Sequence, residues 1–230
     1  MTADSLRILQ RLAPAVPDAL ARRVEAWTAA DRPVQAAPSA SVVLVRDRGG
    51  LEVYLMQRHA RMPFAPSMVV FPGGRVDAVD AAHPAGAIRG CALRETLEET
   101  GVQLADDDLL PWAHWITPEP EPRRFDTEFF AAVLPPGQDP ADISGETDRA
   151  GWSSPEDALA AVRRGDFAMM PPTLSIVMEL AEAGNVSAVL DAARDRIIRP
   201  VLPQVINDHG HWVFRYPQSG DAEMGSRRWR

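Results

Sequence analysis

The stretch MVVFPGGRVDAVDAAHPAGAIRGCALRETLEETGV, residues 68–102, carries the reading of the fold. It opens on an apolar run, Met68 to Phe71, that stops at Pro72-Gly73-Gly74, as a strand does on entering a tight loop. Residues 86–100 read as a helix, ended by Gly101, a residue suited to the left-handed turn past a helix end. At ~3.6 residues per turn, Glu95, Glu98 and Glu99 leave one face within about one turn. Carboxylates so close repel one another unless a cation offsets their charge. Oxygen ligands at this spacing suit Mg²⁺ or Mn²⁺, which bridge carboxylates to a substrate phosphate. Gly74 lets the backbone come close and can offer its carbonyl as a further ligand. Arg94 stands four residues before Glu98 and can hold it, while Leu93 and Leu97 are expected to anchor the helix to the core. A solvated acidic face has the same three glutamates; the glycine loop upstream separates the two readings.

The rest of the composition narrows the chemistry. The chain has 230 residues, 46% hydrophobic and 24% charged, which fits one domain with decorations or two small ones. A net charge of -8 argues against non-specific binding to nucleic acid. All 24 basic side chains are Arg, so Schiff-base chemistry and a Lys-dependent phosphate loop are unavailable. The single Cys91 excludes an internal disulfide framework and fits a reducing compartment. No stretch approaches ~18 uninterrupted apolar residues, and Asp and Arg interrupt the start MTADSLRILQ, so neither a membrane span nor export is expected. The expected location is the cytoplasm.

Working outward, residues 4–30 have helical spacing divided at Pro14 and Pro17, and AAPSA around Pro38 reads as a linker. SVVLVRD (41–47) and LEVYLMQR (51–58) read as a hairpin turning at Gly49-Gly50. LLPWAHWIT (109–117) and FDTEFFAAVL (125–134) read as further strands. SSPEDALAAVRRG (153–165) carries a helix with Ser at its start, Pro in its first turn and Gly at its end. Helices are expected again at 173–183 and 187–195, and a frayed tail after Pro217. Strands interspersed with helices make a mixed α/β arrangement. The division expected is a helical extension over 1–35, a main domain over 36–168, and a helical extension with a tail over 169–230.

The segment from Gly74 to Val102 resembles the box of the Nudix hydrolases: Gly, five residues, Glu, seven residues, then Arg-Glu-U-x-Glu-Glu-x-Gly-U, where U is aliphatic. Arg94, Glu95, Glu98, Glu99, Gly101 and Val102 match, with Thr96 in the first U position. Two departures stand out. Asp80 replaces the first Glu, and thirteen residues, not seven, separate it from Arg94. The insert carries Pro and Gly and can bulge without disturbing the helix; Asp80 is given a supporting place behind the metal ligands. The resemblance implies an α/β/α sandwich with a mixed central sheet, helical additions at both ends and, by analogy with relatives, a homodimer. It implies metal ligation by Gly74, Glu95, Glu98 and Glu99, with Arg94 orienting Glu98. The general base would be Glu98 or Glu99, or Glu146 on a later loop.

Residues 40–135 further resemble the branch with peroxisomal coenzyme A diphosphatases and bacterial relatives. Arg58 stands thirteen residues before Phe71, as in the coenzyme A signature, whose later Arg, His and Gly are replaced by Pro63, Ala65 and Ser67. Pro118, sixteen residues past Val102, matches an offset associated with ADP-ribose hydrolysis. Arg58, Arg123 and Arg124 are candidate phosphate contacts, through the planar donor fork of Arg. Phe125, Phe129 and Phe130 read as core before base-stacking platforms. The expected activity is metal-dependent cleavage of the diphosphate in a small nucleotide conjugate, coenzyme A or acyl-coenzyme A favoured. ADP-ribose or a dinucleotide is the alternative substrate, and a binding module without turnover the alternative class.

Overall fold

The computed structural model describes residues 8–9, 12–13, 15–28, 30–61, 65–143, 145 and 147–216. Strand β1 (Ala37–Asp47) and β2 (Leu51–Arg58) form the expected antiparallel hairpin, with Val45 opposite Val53 and Asp47 opposite Leu51. The turn between them uses Gly49 at φ 78°. Toward the other end of the hairpin β1 and β2 diverge. The chain fills the wedge with two three-residue strands, β3 (Met68–Val70) on β2 and β4 (Gly73–Arg75) on β1. AAPSA is therefore not a linker: β1 starts at Ala37, because Ser39 to Ser41 are needed as the partner of β4.

Three further strands complete the sheet's centre: β5 (Leu110–Ile116), β6 (Phe125–Val133) and β7 (Thr147–Ser153). β6 runs parallel to β1 over nine residue pairs and antiparallel to β5, and β7 lies antiparallel along β2. Two short edge pieces follow, β8 (Ala168–Met169) on β3 and β9 (Pro200–Val201) on β5. The order is β8-β3-β2-β1-β6-β5-β9, with β4 on β1 and β7 on β2.

Alternation along β1 separates two cores. Ala40, Val42 and Leu44, with Phe130 and Ala132, pack on Cys91 and Ala92. Val43 and Val45, with Val53 and Leu55, pack on Leu159, Leu174, Val177 and Leu180. Each fully buried Val or Leu contributes about 1.5–3 kcal/mol. The helices are α1 (Asp18–Ala26), α2 (Ala87–Thr100), α3 (Pro155–Arg164), α4 (Pro171–Ala183) and α5 (Val186–Arg194). With α2 on one face and α3 and α4 on the other, the molecule is the expected α/β/α sandwich. Ser154 caps α3 by accepting from the Asp157 amide at 3.1 Å, and Gly165 ends it at φ 77°.

Two expectations are corrected here. The C-terminal extension is not all helix: β10 (Gln204–Asp208) and β11 (His211–Arg215) form a separate hairpin. Leu97 does not anchor α2; it is exposed, and the helix instead buries Gly90, Cys91, Ala92, Thr96 and Thr100. Thr96 and Thr100 fit that interface because each hydroxyl donates to the carbonyl four residues back, at 2.7 and 2.6 Å. The expected frayed tail lies outside the described residues. Among the described residues, no single helix is long and apolar enough to cross a membrane.

Candidate active site

The Pro72-Gly73-Gly74 turn is fixed before any side chain enters the site. The Pro72 carbonyl accepts from the Val42 amide and from Ser41 Oγ, both at 2.8 Å. At Gly73 a Cβ would come within 2.6 Å of Ser41 Cα, so the approach of β4 to β1 demands glycine. At Gly74 a Cβ would stand 2.7 Å from Glu95 Oε2, in the space that this carboxylate occupies. The Gly73 amide donates to Glu99 Oε2 at 2.8 Å. One short strand thus receives two of the three glutamates of α2.

Arg94 is the hub of the acidic face. Its guanidinium donates to Asp80 Oδ1 and Oδ2 at 2.8 and 2.9 Å, to Glu95 Oε1 at 2.9 Å, to Glu98 Oε2 at 3.0 Å and to the Arg75 carbonyl at 3.1 Å. The Asp80 side chain is only 2% exposed. The six extra residues that separate Asp80 from its usual spacing are absorbed locally. Ala78–Ala82 form a 3₁₀ turn, closed by the Asp77 amide on Asp80 Oδ2 at 2.7 Å. Gly86, at φ 96°, then starts α2, and His83 packs where a side chain at residue 90 would stand.

The charges have distinct environments. Burial pushes the Glu95 carboxyl above its usual range, against the pull of Arg94. The Arg94 hydrogen bond holds Asp80 below the carboxylate range despite burial. Burial pushes the Cys91 thiol up to about 12. Its sulfur lies 3.4 Å from the Gly74 carbonyl, a weak donor that leaves the second lone pair of that oxygen available.

As they lie, Glu95 and Glu98 turn to Arg94 and Glu99 to the Gly73 amide. Among the described residues no three acidic, His or Cys side chains converge as a cation cage. The donor set still fits a hard divalent ion. It is all oxygen, and a cation facing Glu95 would offset the burial that its carboxylate suffers against Gly74. Glu98 is the outermost of the three, with 58% of its side chain exposed.

Beside the turn a cleft of about 1270 Å³ runs across the sheet. Gly73, Gly74, Arg75, Arg94, Glu95 and Glu99 line it beside α2. Its floor is the face of Ser39, Ser41, Thr127, Phe129 and Trp115, which strand pairing sets side by side. Ser39 Oγ and Thr127 Oγ1 are 2.7 Å apart. Arg58 and Arg123 line the cleft, as do Pro118 and Phe125. Phe130 instead lies on the opposite face with Arg89 over its ring at 5.5 Å.

Arg124 must be withdrawn from the substrate contacts. It is buried, and its guanidinium donates to the Thr117 carbonyl at 3.0 Å and the Val34 carbonyl at 2.7 Å, tying the N-terminal extension to the β5–β6 loop. Glu146 lies outside the described residues. Sequence reasoning missed the Ser39, Ser41 and Thr127 floor and Trp115; the Ser-x-Ser alternation was the available signal, once residues 37–40 are read as strand.

Comparison with known proteins agrees with this geometry. Residues 36–171 match the NUDIX domain family, and the chain belongs to it. "Putative nudix hydrolase 7" of Caenorhabditis elegans is 25% identical over 220 residues, covering 80% of this chain and 73% of that protein. A Nudix hydrolase from Alicyclobacillus acidocaldarius superposes with a TM-score of 0.62 at 25% identity, over 69% of this chain and 96% of its own. The Nudix domain of Shewanella oneidensis NrtR, solved with ADP ribose, superposes at 0.50 with 18% identity, over 70% and 96%, and speaks for the fold alone. The chain is a Nudix hydrolase, and such enzymes generally work with divalent metal ions.

Proposed function

We propose that this hydrolase cleaves the diphosphate of a nucleotide conjugate in the cleft beside Gly73-Gly74, with Mg²⁺ or Mn²⁺ held by Glu95, Glu98, Glu99 and the Gly74 carbonyl. The observation that carries it is the packing of two carboxylates, Glu95 and Glu99, onto that turn at the edge of a cleft that also holds Arg58, Arg75 and Arg123. A bound divalent cation supplies Lewis acidity toward the diphosphate oxygens and makes a coordinated water more acidic. The arginines meet the remaining phosphate charge with planar donor forks. Water adds across the P–O–P bond and two phosphomonoesters leave. Glu99 is the favoured base, since it lines the cleft while Glu98 faces outward, and Arg94 keeps Glu95 and Glu98 in place. Arg58 favours coenzyme A or its thioesters; Pro118, on the same cleft, favours ADP-ribose as the second reading.

A phosphate-release assay with Mg²⁺ or Mn²⁺ over coenzyme A, acetyl-coenzyme A, ADP-ribose and diadenosine polyphosphates tests this. Turnover should fall at least about a hundredfold in Glu99→Gln, in the range lost when an electrostatic group of a site is removed. Coenzyme A first would support the Arg58 reading, ADP-ribose first the Pro118 reading. Silence on every diphosphate would sink the catalytic assignment.

A further inference from the structure

The loop between β5 and β6 is poorly equipped to brace itself. In residues 118–122, Pro118, Pro120 and Pro122 have no amide hydrogen, so Glu119 and Glu121 carry the only backbone donors. The Glu121 amide donates to the Pro118 carbonyl at 3.1 Å. The N-terminal extension supplies a donor from outside. Arg23 of α1 donates from Nε to the Pro120 carbonyl at 3.0 Å, and its Nη2 pairs with Glu121 Oε2. The Pro120 contact fixes the guanidinium against the loop, so its pairing with Glu121 is preset.

Glu121 is out of place for a site that receives phosphate. It lines the cleft together with Arg58, Arg75 and Arg123. A carboxylate there competes with phosphate for the same guanidinium donors. Arg123 is within its reach, two residues on and so no more than about 7 Å along the backbone. Arg124 is no substitute, since its guanidinium turns inward to the Thr117 and Val34 carbonyls. Yet Glu121 takes its partner from 98 positions away, and Arg123 has no ion pair among the described residues.

Resting on the reading of this cleft as a diphosphate site, we propose that Arg23 is a positioning residue for substrate binding. It holds Glu121 away from Arg123, so that the cleft arginine stays open to phosphate. The N-terminal extension then acts on affinity through one ion pair, without touching the substrate.

The test uses the full-length protein with Mg²⁺ and, as substrates, coenzyme A and ADP-ribose. Arg23→Gln should raise KM about 3–10-fold, the effect of losing a charge-assisted phosphate contact, with kcat held within about twofold. Adding Glu121→Gln to Arg23→Gln should bring KM back to within about twofold of the wild type, because a neutral amide no longer draws Arg123 away. Arg22→Gln removes the same charge from an exposed neighbour on the same helix and should leave KM unchanged. Melting temperatures should hold within a few degrees, since a solvent-exposed ion pair contributes little to stability. An unchanged KM in Arg23→Gln, or an equal rise in Arg22→Gln, overturns the proposal. So does a double variant as impaired as Arg23→Gln alone, which would make Arg23 a mechanical brace for the loop. Failure of the underlying reading looks different: neither nucleotide is hydrolysed by any variant. Calorimetric affinities for the same two nucleotides then decide the role of Arg23 alone. Binding weakened by Arg23→Gln and restored in the double variant upholds it; binding that Arg23→Gln leaves intact, or that the wild type lacks, overturns it.

Discussion

Arg94 grips both oxygens of Asp80, Nε to Oδ1 at 2.8 Å and Nη2 to Oδ2 at 2.9 Å, from fourteen positions further along the chain. The same guanidinium holds Glu95 and Glu98, so the buried aspartate fixes the direction from which these two carboxylates are held. Asp80 is one carbon shorter than the glutamate expected in that place. The 3₁₀ turn at 78–82 brings its backbone close enough for the shorter side chain to reach.

Asp80→Asn should cost about 2 kcal/mol at pH 7, below the full cost of breaking a buried ion pair because Arg94 keeps its other partners. The Asp80 pKa is lowered from 3.8 by the Arg94 hydrogen bond. A depressed carboxylate stabilises the fold above its unfolded pKa and loses that contribution as pH falls through the folded value. Urea midpoints measured from pH 7 downward should therefore converge for the two proteins below pH 3.8. A constant gap across that window would mean that the pair does not set stability. Turnover should also fall about 10–100-fold, as when a partner that orients ligands is removed.

Gly73→Ala and Gly74→Ala should separate stability from activity. The new Cβ at 73 meets backbone, with Ser41 Cα at 2.6 Å, so the strand must move at a cost of about 1–3 kcal/mol or more. The new Cβ at 74 meets the end of a flexible side chain, Glu95, which can swing away. Thermal melts should show a large drop for Gly73→Ala and a small one for Gly74→Ala, while phosphate release falls in both. An active Gly74→Ala enzyme would remove Glu95 from the machinery.

Legibility in the sequence followed the range of the interactions. The hairpin at Gly49-Gly50, the cap at Ser154 and the Gly101 and Gly165 helix ends are local rules and were readable. Glu95, Glu98 and Glu99 were readable as one face because helical spacing is local too. What was not readable depended on tertiary partners. Residues 37–40 looked like linker because Pro38 and the small residues around it argue against a strand, yet pairing with β4 and β6 overrides that preference. Leu97 looked like an anchor, but it is exposed, and the helix packs on the sheet through Cys91 and Ala92 with Thr96 and Thr100 buried beyond them. Arg123 and Arg124 are equivalent as letters and opposite in place, since alternation at a strand entry sends one to the cleft and one inward.

Cys91 should be inert in the native protein. It is fully buried, with its pKa pushed up to about 12 by burial and by the nearby charges of Glu95 and Asp80. At pH 8 that leaves roughly one thiolate in ten thousand. Iodoacetamide should label the folded protein far more slowly than the urea-unfolded chain, at a rate that tracks opening of α2 away from the sheet. Labelling at the speed of a free thiol would show that α2 does not stay packed.

The two adjacent arginines give the sharpest test of the cleft's boundary. Arg124→Gln removes donors from the Thr117 and Val34 carbonyls, two part-buried hydrogen bonds that contribute about 0.5–1.5 kcal/mol each. Its melting temperature should fall by several degrees, with KM moving only as far as the N-terminal extension loosens. Arg123→Gln loses an exposed cation on the cleft wall, so its melting temperature should hold while KM for the diphosphate substrate rises about 3–10-fold, as for a charge-assisted contact to phosphate. Thermal melts and steady-state kinetics on both variants distinguish the roles, and an exchange of the two outcomes would place the phosphate contact at Arg124 after all.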